Sequence, residues 1–121
     1  MARFRLARPA QHDLAGILST SAERWGRQDR RRYAAVLAAA MRKIAADPEG
    51  PLTRSRDELS SDLRSFHIRH ARIDSPQLNV GRPVHILYYR KIQPGLIEII
   101  RVLHERMEPS RHFEIVEEDK P

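Results

Sequence analysis

The stretch that most limits the possible folds is Ile97–His112, reading IEIIRVLHERMEPSRH. Apolar residues stand on both faces of an extended reading: Ile97, Ile99 and Leu103 on one, Leu96, Ile100 and Val102 on the other. A strand apolar on both faces belongs inside a sheet, covered on two sides. Arg101 interrupts one of those faces, and the strand runs straight into His104, Glu105 and Arg106. A buried arginine is costly unless it is paired. The polar exit of this strand is therefore the first place to look for function.

The rest of the chain supplies what such a strand needs around it. Residues 3–7 (RFRLA) alternate, with Phe4 and Leu6 on one face, and read as a short first strand. Pro9 suits the first turn of a helix, although no Ser, Thr, Asp or Asn caps it. From Pro9 to Arg24, Ala10, Leu14, Ile17, Leu18 and Ala22 fall at helical spacing, and Trp25 closes the face. Gly26 breaks the pattern. Tyr33, Val36, Leu37, Ala40, Met41 and Ile44 then mark a second helix, ended by Asp47-Pro48-Glu49-Gly50-Pro51. A short break between two amphipathic helices predicts an antiparallel helical hairpin.

Residues 48–62 read as a polar connection with Leu59 and Leu63 as its anchors. Arg64–Arg69 alternates as a second strand, residues 70–83 read as a long loop, and Val84–Arg90 as a third strand. Ile92-Gln93-Pro94-Gly95 is a tight turn that leads into the opening stretch as a fourth strand. The order β-α-α-β-β-β predicts an α+β fold, with a helical hairpin packed on a small antiparallel sheet. Residues 1–114 read as one domain and 115–121 as an acidic tail.

Charge narrows the partners. Lysine and arginine total 22 against 16 acidic residues, for a net charge of +6. Nearly all the bases are arginines, whose planar fork suits phosphate and carboxylate. An anionic partner is expected, either nucleic acid or an acidic protein segment. Arg27, Arg30, Arg31 and Arg32 crowd the first turns of the second helix, where positive charge opposes the helix dipole. Cysteine is absent, so thiol chemistry is excluded. No apolar run is long enough for a membrane span, and the basic N-terminal segment lacks the core of a signal peptide. The chain reads as cytoplasmic. The histidine spacings match no zinc pattern, there is no glycine-rich phosphate loop, and neither metal nor cofactor is expected.

Five pieces in this order resemble the RelE/ParE superfamily of type II toxins: ARPAQHDLAGIL, WGRQDRRRY, RDELSSDLRSF, HILYYR and IEIIRVLHERMEPSRHF. The resemblance covers residues 4–113, and the last piece is most similar to the ParE branch, the plasmid stabilisation toxins. The resemblance implies a bacterial toxin neutralised by a cognate ParD-like antitoxin, with DNA gyrase as the target. On that reading Arg101, His104, Arg106, Arg111 and His112 form the target-binding face. Leu14, Leu18, Trp25, Tyr33 and Leu37 meet the antitoxin. The RelE branch implies an alternative, a ribosome-dependent, metal-independent endoribonuclease with Arg64, Arg101, His104 and His112 as its catalytic set, and Tyr89 and Phe113 available for base stacking. Phe113 stands where some nucleases of the superfamily carry tyrosine, which favours binding over catalysis. An inactive remnant retained for antitoxin binding is a third possibility.

Overall fold

The computed structural model describes residues 2–71 and 82–113. The 70–83 loop lies mostly outside these residues and the 115–121 tail entirely so. Five strands form one sheet: β1 (Arg3–Leu6), β2 (Arg54–Ser55), β3 (Arg64–His67), β4 (His85–Gln93) and β5 (Leu96–His104), in the order β1-β5-β4-β3-β2. A helical run, α1 (Arg8–Ala46), separates β1 from β2, and a 3-10 turn, Ile68–His70, follows β3.

The mixed helix-and-sheet fold agrees with expectation, and three details differ. First, β1 pairs with β5 in parallel, Phe4 opposite Ile97 and Leu6 opposite Ile99, so the sheet is not wholly antiparallel. Second, the polar connection contributes β2, a two-residue edge strand on β3. Third, β3 ends at His67, because Ile68 and Arg69 enter the 3-10 turn instead of extending the strand.

The predicted break at Gly26 is present, with φ 87° and ψ 175° inside an otherwise helical run. The contacts of the two limbs set their direction. The first limb starts where the Ala7 amide donates to the Ile99 carbonyl, and by Asp13 it has reached Val102. The second passes His85 at Tyr33 and ends where the Tyr89 hydroxyl donates to the Pro48 carbonyl. One limb thus follows β5 and the other follows β4. These strands are antiparallel, so the limbs form a hairpin. Ala7 takes the N-cap position with no side-chain cap, and proline occupies the first turn.

Both faces of the sheet are covered. Phe66, Leu87, Tyr89, Ile97, Ile99 and Val102 pack under the hairpin against Val36, Leu37, Ala40 and Ile44. Tyr88 and Leu103 face the other way, onto Leu59, Leu63 and Phe113. A bulge makes this division possible. Tyr88 pairs with Arg101 but Tyr89 pairs with Ile99, leaving Ile100 as the extra residue. An extra residue shifts the alternation beyond it. Val102 therefore joins the hairpin side with Ile97 and Ile99, while Leu103 turns to the far side. No described helix is long and apolar enough to cross a membrane.

Candidate functional site: a basic groove under the helical hairpin

The first limb of α1 runs past the end of β5, and the hairpin overhangs the sheet there. Beneath the overhang lies a groove of about 900 Å³. Asp13, Ile17, Trp25 and Tyr33 line it from the hairpin, and His85, Arg101, Val102 and His104 from the strands. His112 closes it from the segment after β5.

Arg101 is held rather than free. Its Nε and Nη2 donate to the two carboxylate oxygens of Asp13 at 2.8 and 2.9 Å. One of those oxygens also accepts the Val102 amide at 2.9 Å. The carboxylate raises the Arg101 pKa further above its ordinary value, first through these hydrogen bonds and against the cost of burial. The pair binds helix to strand just after the bulge. A bidentate guanidinium–carboxylate contact fixes orientation as well as distance.

The histidines form a set linked by hydrogen bonds and ring contacts. The Tyr33 hydroxyl accepts the Val84 amide, so its own proton goes to His85 Nδ1 at 2.6 Å. Burial and the neighbouring His104 and His67 lower the His85 pKa to about 4, so its ring is neutral at physiological pH. His85 and His104 are cross-strand partners, with ring centroids 5.5 Å apart and nearly perpendicular. His104 Nδ1 accepts the Arg106 amide. His67 Nδ1 accepts the Arg69 amide, and its Nε2 donates to Glu105 at 3.0 Å. That bond is the main cause holding the Glu105 carboxyl below its ordinary range. Among the described residues, no group of three His, Cys, Asp or Glu is arranged to hold a metal ion.

The residues singled out from sequence separate into groups. Arg101, His104 and His112 share the groove. Arg106 and Arg111 are exposed on the segment that follows β5. Arg64 lies elsewhere on β3, with Nη2 donating to Thr53 at 2.8 Å. Tyr89 and Phe113 are both buried in the cores and are not open to a base. Of the five hairpin residues assigned to the antitoxin, Tyr33 and Leu37 are buried in the core and Leu14 and Leu18 are half-buried against it. Trp25 is 62% exposed. Sequence reasoning missed Asp13 and His85. An acid one turn into an amphipathic helix facing a strand arginine was the available signal for Asp13, but nothing local linked them.

A helical hairpin laid over a five-stranded sheet agrees with the fold expected of a RelE/ParE toxin. The family described as "ParE toxin of type II toxin-antitoxin system, parDE" matches residues 4–109. Toxin ParE1 of Mycobacterium tuberculosis is 31% identical over 111 residues, covering 92% of this chain and 97% of that protein. Toxin ParE1 of Caulobacter vibrioides is 32% identical over 114 residues, covering 93% and 99%. A solved structure titled "Chromosomal ParDE TA system from P. aeruginosa" superposes with a TM-score of 0.61 at 14% identity, covering 86% of this chain and 96% of that one, a likeness of fold. The chain belongs to the ParE toxin family of type II toxin–antitoxin systems.

Proposed function

We propose that this ParE toxin acts by binding DNA gyrase, not by cutting RNA, and is silenced by a cognate antitoxin whose acidic segment lies across the hairpin and the groove mouth. The observation that carries the preference is the separation of the nuclease set. Arg101, His104 and His112 line the groove, whereas Arg64 is on β3 and is not among the lining residues. Arg101 already has Asp13 as a counter-ion. RNA cleavage without metal needs cations gathered on the scissile phosphate beside a base and an acid. With Arg64 elsewhere and Arg101 paired to Asp13, the catalytic set expected of the nuclease does not converge on one phosphate position. The remaining features suit a protein-binding surface: Arg106 and Arg111 are exposed beside the groove, and exposed Trp25 supplies an aromatic anchor. An acidic partner segment would associate quickly and in a salt-sensitive way.

The test expresses the full-length toxin without antitoxin and compares gyrase supercoiling and DNA cleavage with translation-coupled messenger cleavage. Gyrase-dependent DNA breaks that disappear on adding antitoxin are expected. Codon-positioned messenger cuts with gyrase unaffected would overturn the proposal in favour of the ribonuclease.

A further inference from the structure

The groove mouth combines exposed apolar surface with unspent positive charge. Trp25 and Met107 both line it and are 62% and 48% exposed, two of the four large apolar side chains that stay in solvent among the described residues. The same lining holds four arginines, Arg24, Arg32, Arg82 and Arg101, against two acids, Asp13 and Asp29. Asp13 pairs with Arg101 and Asp29 with Arg32. Arg24 and Arg82 are exposed and make no ion pair with any described residue. Glu105, whose carboxyl feels the charge of Arg82, is bonded to His67. An occupant of this mouth must therefore bring apolar side chains and carboxylates together.

The chain carries such a segment at the groove edge. His112 lines the groove, while the next side chain, Phe113, is buried in the far core on Tyr88. The backbone at 112–113 is thus fixed beside the groove. Residues 114–121, outside the described ones, read EIVEEDKP: Ile115 and Val116 stand between Glu114 and the run Glu117, Glu118 and Asp119, with only Lys120 of opposite charge.

We propose that residues 114–120 fold back across the groove mouth in the free toxin, with Ile115 and Val116 on Met107 and the acids facing Arg24 and Arg82, and that the acidic segment of the antitoxin has to displace them. The proposal rests on the reading that this mouth takes an acidic segment. The seven residues beyond Phe113 reach up to about 23 Å when extended. A second copy offers the same segment, but a short tether holds the chain's own segment at an effective concentration of roughly millimolar, so the internal contact forms first.

Cysteine is absent and Trp25 is the sole tryptophan, so Lys120→Cys accepts a single nitroxide and Trp25 emission reports its approach. Loss of most of that emission is expected at low salt, with recovery in about 1 M salt, where the screening length falls to about 3 Å. Quenching that grows with toxin concentration would assign the contact to a second copy and overturn the internal seat. Binding of a labelled polyglutamate peptide is then compared between the parent and the variant Glu114→Gln, Glu117→Gln, Glu118→Gln, Asp119→Asn. The variant should bind about tenfold tighter, the factor for a mouth open one-tenth of the time in the parent. Absence of salt-sensitive quenching, or equal binding by the two chains, would overturn the proposal. Polyglutamate that still binds both chains then leaves the groove reading standing, and no binding by either chain removes both.

Discussion

Arg101 and Asp13 are 88 residues apart in sequence and meet through two hydrogen bonds of 2.8 and 2.9 Å. The same carboxylate takes the Val102 amide. Asp13 thus ties the first limb of the hairpin to β5 just beyond the bulge at Ile100, and so sets the height of the overhang above the strand end. The arginine that looked anomalous in an apolar strand is part of the frame of the groove, and its side chain is 22% exposed at the groove edge.

Removing the carboxylate should therefore cost more than removing one surface ion pair. Asp13→Ala leaves a guanidinium and a strand amide short of acceptors, an expected loss of about 2–3 kcal/mol. Asp13→Asn keeps one acceptor and should lose less. Urea unfolding of the two variants, with the slope held constant, measures both. An Asp13→Ala chain as stable as the parent would show that the pair contributes nothing net.

Because Arg101 supports the fold, loss of toxicity on changing it would not by itself identify a target contact. Arg106 and Arg111 offer a cleaner test. Both are exposed, so Arg106→Ala and Arg111→Ala should change stability by less than about 0.5 kcal/mol. On the gyrase-binding reading the double variant should lose DNA-break stabilisation while keeping its melting temperature. Full activity in the double variant would remove these residues from the target face.

The two glycines of α1 should respond in opposite directions. Gly26 has φ 87° with open space around it, so a methyl group there meets no atom but must adopt a left-handed backbone. Gly26→Ala should destabilise by about 1–2 kcal/mol. Gly16 also has open space and no positive φ, and it lies inside the first limb. Gly16→Ala should stabilise by about 0.5–1 kcal/mol. Thermal unfolding of both variants checks the pair, and a shared sign would mean that the chain does not reverse at Gly26.

Local signals in the sequence carried much of this fold. The i, i+3, i+4 series from Tyr33 to Ile44 and the glycine between the limbs located the hairpin, because helix periodicity and backbone freedom are properties of neighbours in the chain. The two-sided apolar pattern of β5 placed it inside the sheet, where it pairs with β1 and β4. The parallel direction of β1 was not legible, since it depends on which edge the chain reaches after the hairpin. Nor was the bulge at Ile100, which moves Leu103 to the far core and Val102 to the hairpin side; strict alternation had assigned both the opposite way. The candidate site shows the same limit. Types of residue were readable at positions 101, 104 and 112, but the partners that set their chemistry, Asp13 and His85, come from distant segments. Phe113 was read for its chemistry and is found packed on Tyr88, ring centroids 5.5 Å apart.

The Tyr33–His85 bond should make stability depend on pH in a defined window. His85 is lowered from 6.5 to about 4 in the folded chain. Between these values the unfolded chain binds the proton and the folded chain does not, so stability rises with pH across the window and is lost as pH falls from 6.5 toward 4. Protonation also removes the acceptor that Tyr33 uses, as Nδ1 must then carry a proton. His85→Gln keeps a polar side chain without a titrating ring and should flatten this part of the stability profile. Glu105 acts in the same direction at lower pH: its carboxyl is held below its ordinary 4.5, mainly by His67, so its contribution is present above that value and lost as pH falls. Tyr33→Phe separates the hydrogen bond from the titration. It leaves the Val84 amide and His85 Nδ1 without their partner, an expected loss of about 1–3 kcal/mol at neutral pH, and relieves His85 of only one of the neighbours around it. Urea unfolding of the parent and the two variants from pH 4 to pH 7 checks these expectations. A His85→Gln profile as steep as the parent's would assign the acid sensitivity to another group.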